Sequence, residues 1–237
     1  MHEIEKIIIL DEDNPISKNL IKTNGKLSIE LNSELDNYIY QCSRALSALT
    51  DSVKKSRLSL SLISYEHIKQ VSFEEFSKST YIEVIVENSI IRVQSVFDRV
   101  LIFVNKILAL GISNDQISYG SIISNDWVIR FDLVRTIKSI NKQCNDYRYV
   151  RNKVIHHDRY SEKELDELTL FIETNDLILE NGGNQLVPDE LIAEKSHDYF
   201  NFKQSELTSY MDDIEKKMFS LYEFLIKIYL HKKLNLK

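Results

Sequence analysis

From Leu31 onward the apolar positions fall three and four residues apart, at Leu31, Leu35, Ile39, Cys42, Leu46, Leu49 and Val53. That spacing lays one stripe along a helix. The segment from Phe73 to Leu110 repeats it at Ile82, Val86, Ile90, Val93, Phe97, Val100, Val104 and Leu108, with further apolar residues at Val84, Ile85, Ile91, Val96, Leu101 and Phe103. β-Branched residues favour strands, but a run this long with neither Gly nor Pro fits no ordinary strand. The pattern therefore predicts a central helix buried on more than one face, stopped at Gly111.

Further along, Ser124, Asn125 or Asp126 can cap a helix running through Trp127, Phe131, Val134 and Ile137 and pausing near Asn145. A helix through Tyr147, Val150 and Val154 follows and ends close to Tyr160. Ser161 with Glu164 three residues on has the form of a capping box for the next helix, which runs to about Glu180. Asn181-Gly182-Gly183-Asn184 reads as a loop, and Pro188-Asp189 restarts helical sequence. The last helix carries Leu207, Met211, Ile214, Met218, Leu221, Leu225 and Ile228 on one stripe. At the amino end "EKIIIL" and "KLSIEL" are short and β-branched, separated by Pro15 and Asn24-Gly25, which leaves room for a small edge hairpin. The expected architecture is all-α: residues 1–26 as an N-terminal extension with short strands, and residues 27–237 as one helical bundle of five or six helices. No strand–helix alternation with a Gly-rich turn is present, which disfavours nucleotide-binding α/β folds.

Composition agrees with a real core, at 43% hydrophobic and 28% charged residues with five Gly and two Pro. The most apolar stretch, residues 81–110, contains Glu83, Glu87, Arg92, Asp98 and Arg99, too many charges for a bilayer core. The apolar run near the amino terminus is too short for a secretory signal. These features lead to the expectation of a cytoplasmic protein without a membrane span. Cys42 and Cys144 lie far apart and offer neither a metal-ligand spacing nor a disulfide framework, so reduced core thiols are expected. The remaining histidines, His2, His67, His197 and His231, have no partner at metal-ligand spacing, and neither metal nor cofactor is expected.

Charge changes the picture. The net charge of −6 argues against indiscriminate nucleic-acid binding, yet eight basic residues face three acidic ones between Arg130 and Arg159, leaving that segment at +5 and the remainder at −11. Within it lies "RNKVIHHDRY", residues 151–160. On one helix Arg148, Asn152, His156 and Arg159 share a side, apart from the apolar Tyr147, Val150 and Val154. A histidine can exchange a proton near neutral pH, and a guanidinium is a permanent planar donor suited to phosphate oxygens. Together they can serve metal-free RNA cleavage: a base takes the ribose 2′-OH proton, an acid protonates the departing 5′-oxygen, and a cation stabilises the transition-state charge. The plainer reading is that the histidines sit at the negative end of a helix dipole and Arg151 bonds a nearby carboxylate.

"RNKVIH", residues 151–156, resembles the R-x4-6-H motif of the HEPN superfamily, in which the arginine is commonly followed by a polar residue, here Asn152. The resemblance implies metal-independent endoribonuclease activity in a homodimer whose two motif helices form a composite cleft, acting on RNA. Carried onto this chain it implies that Arg151 binds and polarises the scissile phosphate, Asn152 positions the reacting groups and His156 is the general acid or base. Arg148, Lys153, His157 and Arg159 are then candidates for RNA contacts, although His157 matches no motif position. Such proteins are often toxins or antiviral effectors, with an antitoxin protein as a partner. The family also contains catalytically silent members, so the rival is a helical module that binds nucleic acid, a nucleotide or a protein, or dimerises. A further rival is a scaffold that pairs through the helix Leu207 to Ile228.

Overall fold

The computed structural model describes residues 2–23, 25–71, 76–156 and 159–237, with the side chains of Thr23 and His156 excepted. In chain order these residues form α1 (Glu3–Ile9), α2 (Pro15–Lys18), β1 (Leu20–Thr23), β2 (Lys26–Ile29), α3 (Glu34–Ser61), α4 (Tyr65–Gln70), α5 (Lys78–Ile107), α6 (Tyr119–Ile123), α7 (Asp126–Arg130), α8 (Val134–Cys144), a 3-10 turn (Asn145–Tyr147), α9 (Arg148–His156), α10 (Lys163–Glu180) and α11 (Asp189–Leu236). The fold is all-α, with one two-stranded antiparallel sheet in which Leu20 pairs with Ile29 and Thr23 with Lys26. Eleven α-helical segments occur among the described residues against the five or six expected. The surplus consists of short segments of four to seven residues, which carry too few turns to show a hydrophobic period.

Two compact units make up the chain: Met1–Val53, Ser95–Cys144 and Asp213–Lys237 in the first, Lys54–Gln94 and Asn145–Asp212 in the second. In the first, Ile39, Cys42, Leu46 and Leu49 of α3, Val100, Phe103 and Val104 of α5, and Leu221, Leu225 and Tyr229 of α11 have no exposed surface. Ile4 and Ile8 are buried with them, and Asn14 fastens the chain after α1 by donating to Ser43 Oγ at 3.0 Å and Ile9 O at 3.1 Å. Ser95 shares a 3.3 Å hydrogen bond with Ser52, an internal use of a polar residue on α5. In the second unit the core comes from Ile82, Val86, Ile90 and Val93 of α5, Leu165 and Leu168 of α10, and Phe200, Leu207 and Met211 of α11. Every position of the stripe expected on α5 is buried, which follows from its three-and-four spacing.

Several boundaries differ from expectation. "EKIIIL" is helix: His2 Nδ1 accepts from Ile4 N and Glu5 accepts from His2 N, a reciprocal cap that outweighs the weak strand preference of three isoleucines. α5 ends before Gly111, at Ile107, because Ala109 takes a left-handed φ of 47° while Leu110 N bonds Asn105 O and Ala109 N bonds Lys106 O. The same paired closure, with Asp132 at φ 55°, splits the single helix expected after Ser124 into α7, capped by Asn125, and α8. It recurs after α10 at Gly182, where a glycine supplies the conformation. The Ser161–Glu164 capping box does not form. Glu162 occupies the cap, and Ser161 Oγ donates to Asp166 at 2.7 Å.

Candidate functional site

α9 brings the motif residues onto two turns of helix within the second unit. None of its described side chains is fully buried: Arg148, Val150, Arg151, Lys153 and Val154 are half-buried, and Tyr149, Asn152 and Ile155 are exposed. Val150 and Val154 thus turn inward as expected, and the Nε of Arg151 is shielded from solvent while Asn152 one residue on is open to it. His156 is the last residue of α9, and its side chain lies outside the described set. His157 lies outside the described residues altogether.

Such a short helix, with little burial of its own, needs its flanks held. At its start the ring of Tyr147 packs 4.8 Å from that of Tyr210, whose hydroxyl accepts from Gln94 Nε2 at 2.6 Å. At its far side Arg159 Nη1 donates to Glu83 at 2.8 Å, with Asp166 at 3.6 Å, and Tyr160 N donates to Glu87 at 2.7 Å. Arg159 therefore spends its charge on carboxylates of α5 and α10. Burial raises Glu83 above the usual carboxylate range, and the Arg159 charge only partly offsets it.

A buried lysine organises the same neighbourhood. Lys203, 1% exposed, donates to Glu162 and to Glu206 at 2.7 Å each and to Tyr160 Oη at 3.0 Å, while Tyr160 Oη donates to Glu162 at 2.6 Å. Burial alone would lower the Lys203 pKa and raise that of Glu206. The hydrogen bonds and opposite charges reverse both, so that the ammonium lies above 10.5 and the Glu206 carboxyl below 4.5, with Tyr147 also donating to Glu206. Burial likewise pushes the phenols of Tyr147, Tyr160 and Tyr199 far up, so they stay protonated. Sequence reading missed this cluster, although one signal was present. Lys203 falls between Phe200 and Leu207 at three-and-four spacing, and a lysine on a buried stripe must be paired.

Chemically, α9 carries an exposed amide at Asn152 and, next to it, the half-buried guanidinium of Arg151, a permanent planar donor of the kind suited to an anion. Elsewhere in this unit a cavity of about 270 Å³ between α10 and α11 is lined by Glu164, Glu167 and Asp198 against one cation, Lys195, with Phe202 and Tyr199, a net negative lining that disfavours phosphate. His67 shares a 3.2 Å contact with Tyr81, His2 stacks on Phe219, and His197 and His231 bond Asn201 and Asn235, all local packing roles.

The model of the HEPN_Cthe2314-like HEPN family matches residues 28–225. The chain belongs to the HEPN superfamily. No curated protein and no solved structure matches it significantly. The family match spans α9 and the residues that hold its flanks. Among the described residues no helix is long and apolar enough to cross a membrane.

Proposed function

We propose that this HEPN protein is a metal-independent endoribonuclease whose active site is assembled from Arg151, Asn152 and His156 of two protomers. The observation that carries this reading is the motif on one short helix, with Asn152 open to solvent and Arg151 beside it, in a chain matched by a HEPN family model over most of its length. Arg151 holds the scissile phosphate and its developing charge, Asn152 orients the groups, and His156 transfers the proton. Tyr149 (77% exposed) and Ile155 (44%) leave apolar surface on α9 that the chain does not cover, which supports a second copy docking there. The start of the family match at residue 28 supports taking residues 27–237 as the HEPN-like domain and residues 1–26 as an addition to it. A cytoplasmic toxin or antiviral role, with an antitoxin as partner, goes with this reading.

The test is cleavage of labelled RNA in excess EDTA by the parent chain, Arg151→Ala and His156→Ala. Each substitution is expected to slow cleavage by about 10²- to 10⁴-fold. Cleavage that survives both substitutions, or that requires a metal ion, refutes the proposal. RNA binding without cleavage by the parent identifies a silent binding module instead.

A further inference from the structure

The positive segment 130–159 does not present its charge evenly. Arg159 is held between Glu83 and Asp166, and Arg148 and Lys153 are half-buried. In the first unit, by contrast, Arg130, Arg135, Lys138 and Lys142 are all exposed, and none of them forms an ion pair with a carboxylate among the described residues. α8, with the sequence VRTIKSINKQC, contains no acidic residue, and α6, which packs against it, contains no charge at all. At 100° per residue Arg135, Lys138 and Lys142 lie within an arc of about 60°, opposite the buried Ile137, Ile140 and Cys144. They climb about 10.5 Å along the axis, the length of roughly three phosphates at about 3.4 Å per stacked nucleotide.

Trp127 stands before this row, half exposed, with Phe131 stacked at 6.1 Å. The Arg130 guanidinium lies 5.3 Å and the Lys232 ammonium 5.8 Å from its ring centroid. An indole that carries two cations holds them in place while leaving their donors free for an anion. Exposed cations that form no ion pair among the described residues, with Asp126 and Asp132 as their acidic neighbours in sequence, repel one another and gain when a polyanion joins them.

We infer that the outer face of α8, continued by Trp127, Arg130 and Lys232, is a binding track for the sugar-phosphate backbone of single-stranded RNA. The row of cations contacts successive phosphates, and the indole edge packs against sugar or base at one end. RNA is favoured over an acidic protein partner by the regular spacing of the cations and the aromatic group at the end of the row. This inference deepens the ribonuclease reading and rests on it for the choice of RNA.

The experiment uses the full-length chain carrying Arg151→Ala, so that the probe is not cut, and a labelled oligouridylate of about twelve nucleotides. Affinity is measured by fluorescence anisotropy between about 0.05 and 0.3 M KCl. Replacing Arg135, Lys138 and Lys142 together by Gln removes three phosphate contacts. The slope of log affinity against log salt is then expected to fall by about 2, and affinity near 0.1 M salt by about a hundredfold. Trp127→Ala is expected to weaken binding by about fivefold or more. A charge-keeping triple variant, Arg135→Lys with Lys138→Arg and Lys142→Arg, should retain binding and controls for a loss of fold.

Binding within about twofold of the parent after the triple Gln change, with an unchanged salt slope, overturns the track. So does a triple variant that still binds RNA but loses binding to anionic vesicles or to a second copy of the chain. If RNA binding depends on α8 while the unmodified parent cuts nothing, the track stands and the nuclease reading falls. If the parent cuts RNA through Arg151 while binding ignores α8, the nuclease stands and the track falls.

Discussion

Lys203→Met tests the clamp that holds the segment after α9. The substitution keeps most of the volume of the side chain but leaves Glu162 and Glu206 facing each other's charge beside the hydroxyl of Tyr160. Removing one partner of a buried ion pair costs about 3–5 kcal/mol, chiefly because the remaining charge is stranded. Here the carboxylate side chains are 23% and 38% exposed, so water relieves part of that penalty, and about 3 kcal/mol is expected. For a chain of this size that corresponds to a fall in Tm of roughly 6–12 °C. The pH dependence gives a second readout. Glu206 is held below its ordinary value in the folded state, so the stability it contributes is present above pH 4.5 and is lost as pH falls through its lowered pKa. Lys203 is raised, so its contribution persists below pH 10.5 and is lost only as pH rises beyond it. Urea unfolding of parent and variant at pH 7 and near pH 4 measures both effects, with the variant losing less stability on acidification than the parent. A destabilisation below about 1 kcal/mol at pH 7, or identical acid sensitivity, refutes the reasoning. Replacing Lys203, Glu162 and Glu206 together by apolar residues should recover much of the loss, since no charge is then stranded.

Other expectations follow from single features. Phe103 has no exposed surface, so Phe103→Ala should cost about 3–5 kcal/mol in chemical denaturation. Ala109→Gly and Asp132→Gly should each stabilise by up to about 1 kcal/mol, because both residues sit at positive φ; destabilisation by either would show that the side chain matters more than the backbone. Burial pushes the Cys42 thiol up to about 12, despite a Tyr38 hydrogen bond that pulls it down, and Cys144 is also buried, so neither should react with a thiol reagent near pH 8 until the chain unfolds. Arg159→Ala should cost under about 1 kcal/mol, since the guanidinium side chain is 51% exposed and its ion pairs are screened by water.

The long helices were legible in the sequence because burial at a period near 3.6 leaves a mark on composition that no local interaction overrides. Ile82 through Val104 on α5, Leu108 just beyond its end, and Leu207 through Ile228 on α11 are buried at every expected position. Helix ends were legible only where the residue type matched the backbone requirement. The closure at Gly182 used a glycine and could be read, whereas those at Ala109 and Asp132 place residues with a Cβ in the same conformation. α1 looked like a strand because its cap is a histidine, a residue that capping rules do not favour.

What the sequence determined by itself is the all-α class, the positions of the long apolar stripes and the Arg151-Asn152-x3-His156 spacing, since each is a property of residues near one another along the chain. Tertiary structure alone decided which charges in the segment 130–159 remain available. Arg159 meets Glu83, 76 residues earlier, and the buried Lys203 holds Glu162 from 41 residues away, whereas Arg135, Lys138 and Lys142 form no ion pair with a carboxylate among the described residues. Pairing depends on distance in space, and a formal charge count has no access to that distance.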